Sequence, residues 1–214
     1  YPRNDVLVHS KEIPKWNKEK GKYGKTILWM QTYRQHWAHE EKALENTYPY
    51  GMPCVETKEQ LQRLEEQLAE HNILLLFRPH PVQDLSVFHK EELPHIRIAD
   101  DVFLASMECT LYELLAQTDA LITDYSSVYF DYLLTDRPIA LTIADREEYF
   151  TRFTLAFPDY KEAVKGFYIE TEIAEGVDSA REERMPAKEK YHTKDAGNSA
   201  KAIVDLLEKE YRLK

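Results

Sequence analysis

The sequence predicts an α/β fold, a parallel sheet flanked by helices, and three observations carry that reading. Short apolar runs without polar alternation recur at 26–30 (TILWM), 73–77 (ILLLF), 120–122 (ALI) and 139–143 (IALTI). Such runs fit strands buried on both faces, the usual condition of parallel sheets. Stretches with helical leucine spacing separate them, and proline- or hydroxyl-rich turns close them, so strands and helices alternate.

Residues 1–25 are polar, carry Pro2, Pro14 and the run KWNKEKGKYGK, and read as a linker with a short helix at 15–20. The domain itself is expected at 26–214. Strand 26–30 runs into Gln31, Thr32, Tyr33 and Arg34. Ligands gather at the carboxyl ends of strands in open α/β sheets, which makes Thr32 and Arg34 candidates for holding an anion. His36, His39 and Glu40 lie close together in HWAHEE. No third strong ligand stands at a recognisable offset, so no metal site is expected there. Pro49, Gly51 and Pro53 mark an irregular loop.

Thr57 and Gln60 form a capping box that opens a helix with Leu61, Leu64 and Leu68 in one stripe. The second strand, 73–77, runs into Arg78-Pro79-His80-Pro81. The two prolines impose an extended loop and give His80 a defined orientation for donating to a phosphate or handling a proton. A third strand is expected at 96–98, ahead of Asp100 and Asp101. Residues 110–117 read as a helix with Leu111, Leu114 and Leu115 inward and Glu113 at its centre. After Arg137-Pro138 come a strand at 139–143, a charged aromatic helix at 145–153, and an irregular stretch with short strands near 167–169. Residues 178–194 are highly charged and fit a solvated helix and loop. Asn198 or Ser199 can cap a final helix, 200–213, whose Ile203, Leu206 and Leu207 would dock on the sheet. The assembly is a Rossmann-like domain without the G-x-G-x-x-G fingerprint of dinucleotide binding.

The stretch ALITDYSSVYFDY, 120–132, organises the rest. It reads as strand, then the polar turn Asp124-Tyr125-Ser126-Ser127, then a helix over 128–134. Such a unit directs backbone N–H groups, a positive helix end and two hydroxyls at one point, which suits a phosphate. The same pattern fits a plain helix cap by Asp124 or Ser126. By itself it indicates an anion site and no activity.

The chain has 214 residues, 43% of them hydrophobic, enough for one good-sized core. A net charge of -10 argues against broad nucleic-acid binding, though not against a local pocket for one nucleotide. Cys54 and Cys109 stand far apart with no CxxC pair, which predicts a reduced, intracellular setting. No apolar run approaches the ~20 residues of a membrane helix, and the opening YPRND has no signal-peptide pattern.

Taken together, the motifs resemble the carboxyl-terminal half of the CDP-glycerol glycerophosphotransferase family, the teichoic-acid primases and polymerases. The matching pieces are YPRND (Tyr1 to Asp5), ILWMQTYR (Ile27 to Arg34), RPHP (Arg78 to Pro81) and YELLAQTDALITDYSSVYFDYLLTDRPI (Tyr112 to Ile139). A weaker KGFY and the GNSAKAI ending follow in order. TDYSS is the specific signal.

The resemblance implies a GT-B architecture of two Rossmann-like halves with the active site between them. YPRND would enter the second half, this chain would hold the nucleotide donor, and an acceptor-binding amino-terminal half would be missing. His80 is similar to the family's donor-phosphate histidine, and Ser126 and Ser127 to its pyrophosphate cradle. Thr32 and Arg34 are similar to its donor loop, with Gln31 where a proline is usual. The ending departs as well, with Ala196 between Asp195 and Gly197.

The implied reaction moves glycerol phosphate from CDP-glycerol to a hydroxyl of a lipid-linked saccharide or polyol-phosphate polymer, releasing CMP. No cofactor or metal enters that expectation. Leaving-group charge would be met by the helix start, with Asp124 in its turn, by the hydroxyls, by His80 and by Arg34 or Arg78. The group that deprotonates the acceptor would lie in the missing half, so this piece alone would bind donor and barely turn over. The expected location is the cytoplasmic face of the membrane. Open alternatives are CDP-ribitol as donor, a sugar-transferring GT-B enzyme with Glu113 gripping a ribose or sugar, and a non-catalytic nucleotide-binding module.

Overall fold

The computed structural model describes residues 2–32, 49–53, 55–80, 91–143 and 197–211, with isolated positions between them that include Phe88, Tyr149 and 167–168. Six strands form one sheet: β1 (Lys25–Met30), β2 (Ile73–Arg78), β3 (Ile96–Ile98), β4 (Ala120–Thr123), β5 (Ile139–Leu141) and β6 (Phe167–Tyr168). Their order is β3-β2-β1-β4-β5-β6 and every pairing is parallel. The apolar runs lack alternation because both faces are covered. Leu28, Leu74, Leu76, Leu121 and Leu141 fill one face. Ile27, Trp29, Leu75, Phe77 and Ile122 fill the other.

The first face is covered by α1 (Asp5–Val8), α2 (Pro14–Lys20), α4 (Asp101–Met107), α5 (Leu111–Leu115) and α6 (Val128–Tyr132). The second is covered by α3 (Lys58–Glu70), with Tyr50, Met52, Val55 and Phe88. The capping box of α3 forms as expected: the Thr57 hydroxyl accepts from the Gln60 N–H, and the Gln60 side chain accepts from the Thr57 N–H at 3.0 Å.

Of residues 1–25, expected as a linker, the described part from Pro2 onward is folded onto the sheet. Leu7, Ile13 and Trp16 belong to the core, with Trp16 fully buried and edge-on to Phe103 at 6.3 Å. Apolar residues spaced among lysines hid this contribution. Helix α4 was also unannounced by the sequence; the Asp100 side chain caps it by accepting from the Phe103 N–H at 2.8 Å. Strand β5 ends at Leu141, where expectation ran to 143, and Thr142 closes it with two bonds to the Thr123 carbonyl. The HWAHEE segment and nearly all of 145–153 lie outside the described residues.

The last helix, α7 (Ser199–Tyr211), does not dock Ile203 on the sheet, since Ile203 is 44% exposed; the side chains of Leu206 and Leu207 lie outside the described residues. Its start is bound to α1 instead. Both oxygens of Asp5 accept from its first amides, Ser199 and Ala200, each at 2.8 Å. Gly197, at φ +80°, permits this approach, because a Cβ there would stand 2.7 Å from the Val8 side chain.

The Ala200 amide, followed by that of Ser199, holds the Asp5 carboxyl below its ordinary range. A lowered folded-state value means that the stability it contributes is complete above the ordinary 3.8 and fades as pH falls through the folded value. Asp5→Ala is therefore expected to lower Tm by about 2–4 °C at pH 7, and the gap to the parent should narrow in thermal melts as pH falls below 3.8. Trp16→Ala is expected to cost about 3–5 kcal/mol in denaturant unfolding; a loss near zero would return residues 1–25 to a linker.

Candidate functional site

The strand order turns about β1, with β2 and β3 on one side and β4, β5 and β6 on the other. Loops leaving β1 and β4 therefore diverge, and a crevice opens outside their carboxyl ends. The register places Arg78 opposite Met30, and Ile122 opposite Trp29. Residues 32, 80 and 124–127 consequently project past the same edge of the sheet. With neighbouring strands ~4.8 Å apart, the ends of β2 and β4 stand roughly 10 Å apart across β1.

Across this crevice Thr32 and Asp124 join the two loops. The Thr32 N–H donates to Asp124 Oδ1 at 2.9 Å and to Oδ2 at 3.0 Å, and its hydroxyl donates to Oδ2 at 2.8 Å. Asp124 is fully buried. The Asp124 carboxylate, expected beside an anion, accepts from both the amide and the hydroxyl of Thr32. The Thr32 hydroxyl, expected at the donor, is likewise engaged with Asp124. Together the pair fixes the loops that form the crevice walls.

Past the carboxyl end of β4, Ser126 is half-buried and Ser127 exposed, and the Ser126 hydroxyl accepts from the Val128 N–H at 3.4 Å. The Ser126 carbonyl accepts from the Tyr129 N–H at 3.1 Å and the Ser127 carbonyl from the Phe130 N–H at 3.1 Å, so the helix starts where the sequence placed it. Ser127 occupies the N-cap position and makes no side-chain capping bond. Helix α6 has five residues before it tightens into a 3-10 turn, Leu133–Thr135. Its dipole is correspondingly small, which shifts the weight of any anion binding to the hydroxyls and turn amides. His80 is exposed two residues past β2, behind a buried Pro79.

Two further candidates are bound to neighbouring groups. Arg78, expected as a cation for the leaving group, donates to the Ala99 carbonyl at 2.9 Å and to Asp101 at 2.7 Å, which ties β2 to the start of α4. Glu113, expected to grip a ribose or sugar in the glycosyltransferase alternative, completes the capping box of α5. It accepts from the N–H and the hydroxyl of Thr110, each at 2.8 Å. Those bonds, the amide's first, hold its carboxyl below the ordinary range. Arg34 lies outside the described residues. Among the described residues, no group of three or more His, Cys, Asp or Glu side chains could hold a metal ion.

Sequence reasoning missed one cluster beside the site. Asp131, on α6, is 3% exposed. Its Oδ1 accepts from Asn4 at 2.8 Å, and its Oδ2 accepts from Arg3 at 3.0 Å and from the Tyr112 hydroxyl at 2.5 Å. The Arg3 guanidinium also lies 5.5 Å from the centre of the Tyr112 ring. Burial, then the bond to the carboxylate, pushes the Tyr112 phenol upward. An acid among the apolar residues of VYFDY was the available signal, because such an acid requires buried partners.

Comparison with known proteins supplies the family. The sequence profile described as CDP-Glycerol:Poly(glycerophosphate) glycerophosphotransferase matches residues 1–209. The teichoic acid ribitol-phosphate primase of Bacillus spizizenii is 25% identical over 219 residues, covering 96% of this chain and 51% of its own length. The teichoic acid glycerol-phosphate transferase of Staphylococcus aureus is 24% identical, covering 91% of this chain and 48% of its own length. The chain thus spans about half the length of these curated relatives. Among solved structures, the wall teichoic acid polymerase TagF shares the fold with a TM-score of 0.63 at 23% identity, over 99% of this chain and 51% of that one. On the strength of the profile match along nearly its whole length, this chain belongs to the CDP-glycerol:poly(glycerophosphate) glycerophosphotransferase family.

Proposed function

We propose that this chain is the donor-binding half of a teichoic-acid polyol-phosphate transferase, and that its donor is CDP-glycerol. The observation that carries the reading is the juxtaposition at the sheet edge: exposed His80 past β2 and the Ser126–Ser127 hydroxyls past β4, on either side of a crevice braced by Thr32 and Asp124. The family's CDP-glycerol chemistry supports the donor, and a variant of TagF soaked with CDPG shares the fold at a TM-score of 0.60.

In this reading an acceptor hydroxyl attacks the phosphorus that bears glycerol. The bond from that phosphorus to the bridging oxygen breaks, and CMP leaves with the electron pair. His80 and the two serines would donate hydrogen bonds to the diphosphate as charge builds on the leaving group. The acceptor, a lipid-linked saccharide or polyol-phosphate polymer, and the group that takes its proton belong to a preceding half. The work would be done at the cytoplasmic face of the membrane; no helix among the described residues is long and apolar enough to cross one.

A second donor, CDP-ribitol, is favoured by the ribitol-phosphate primase among the relatives. Thermal shift separates the readings when CDP-glycerol, CDP-ribitol, UDP-sugars and GDP-sugars are compared. Binding at a hundred times Kd stabilises by about 2.7 kcal/mol, so the true donor gives a clear rise in Tm. A rise with CDP-ribitol alone exchanges the donor, one with a sugar nucleotide alone changes the enzyme class, and none with any nucleotide leaves a scaffold. His80→Ala and Ser126→Ala are each expected to lower transfer by about 10²–10³-fold in the intact enzyme, with circular dichroism unchanged. Normal turnover in either variant removes that residue from the mechanism.

A further inference from the structure

We infer that Asp131 is a positioning residue: the grip of Arg3, Asn4 and Tyr112 on its carboxylate sets where Ser126 and Ser127 stand. The inference rests on the donor-site reading above. Helix α6 has five residues, far below the ~12 at which an isolated helix becomes even marginal in water. Its orientation must come from what it touches.

Val128, Tyr129, Phe130 and Tyr132 bury apolar surface in the core. Apolar contact is non-directional, so it holds the helix down without fixing its rotation. Direction comes from two polar side chains: the Tyr132 hydroxyl, which donates to the Thr118 carbonyl at 3.2 Å, and Asp131, which lies nearer the serines in sequence. Its side chain is 4% exposed, and its donors come from the segment ahead of α1 and from α5, at fixed angles.

The link to the serines is short. The Asp131 N–H reaches back to the Ser127 carbonyl at 3.5 Å, beside the Phe130 N–H at 3.1 Å. Turning α6 about its axis therefore carries the serine pair with it. A buried carboxylate suffers a large desolvation penalty, and a well-packed apolar residue often serves stability as well or better. Its presence on this helix answers a demand on geometry. Because Arg3 and Asn4 belong to the segment that would join a preceding half, that segment and the donor turn are held as one body.

The test measures Kd for CDP-glycerol and kcat/KM in the intact enzyme for Asp131→Asn, Arg3→Ala, Arg3→Lys and Tyr112→Phe. Each variant is assayed well below its Tm and repeated in a Ser126→Ala/Ser127→Ala background. Asp131→Asn and Arg3→Ala are expected to weaken donor binding about tenfold, and Arg3→Lys to restore most of it. In the serine-less background the same changes should add less than twofold, because the route runs through the serines. Unchanged Kd and kcat/KM in folded Arg3→Ala, or full additivity with the serine changes, would overturn the inference. Should Asp131→Asn fail to fold, Arg3→Ala and Tyr112→Phe decide the matter, since both leave the carboxylate in place. Donor binding that survives loss of both serines sinks the donor-site reading itself. Serine-dependent binding that ignores Arg3 sinks only the positioning role.

Discussion

The arrangement depends on a carboxylate that has left water. Asp124 is fully buried at the point where the sheet changes direction, and Thr32 meets it with an amide and a hydroxyl. Breaking such a contact from one side strands a charge in the interior, which is strongly destabilising. The contact is therefore held, and with it the two loops that diverge from β1 and β4. Backbone pairing aligns the strands, but it ends at Trp29 and Ile122 for this pair. The side-chain brace carries that alignment outward to where a ligand would sit.

A second buried acid, Asp131, lies on the other side of the serines in sequence, so the Ser126–Ser127 turn is anchored at both ends. An anion site flanked by two carboxylates looks self-defeating until their partners are counted. Asp124 faces Thr32, while Asp131 faces the guanidinium of Arg3 along with Asn4 and Tyr112. Each acid is satisfied by donors other than the serines. Tyr125, between Asp124 and the serines, is buried and stacks on Tyr149 with ring centres 3.8 Å apart, which stiffens the turn further.

Much of this was legible in the sequence for physical reasons. Strands buried on both faces leave uninterrupted apolar runs, and all six strands were located from them or from short apolar segments. The α3 capping box was readable because it is local, with its partners three residues apart. What escaped was long-range. Nothing local distinguishes an aspartate that binds phosphate from one that braces a threonine 92 positions away. Arg78 donates to the Ala99 carbonyl and to Asp101 across 21 and 23 positions, whereas the Glu113 capping box with Thr110 is as local as that of α3 and was open to the same reading. Trp16 was overlooked because the lysines around it dominate the local composition, although a tryptophan in a polar run is itself a sign of docking.

The joins made by residues 3–5 also bear on how the molecule assembles. Arg3 waits for a partner 128 positions downstream, and the aspartate two residues later waits for one 195 positions away. Closing loops of that size is entropically late work, which slows folding relative to locally paired domains. During synthesis the β1–β2–β3 half of the sheet can pair early, while those opening residues remain unclaimed until α6 and then α7 have been made. The clasp therefore closes over long loops, and it adds the second anchor of a serine turn that the Thr32–Asp124 contact already holds at its other end.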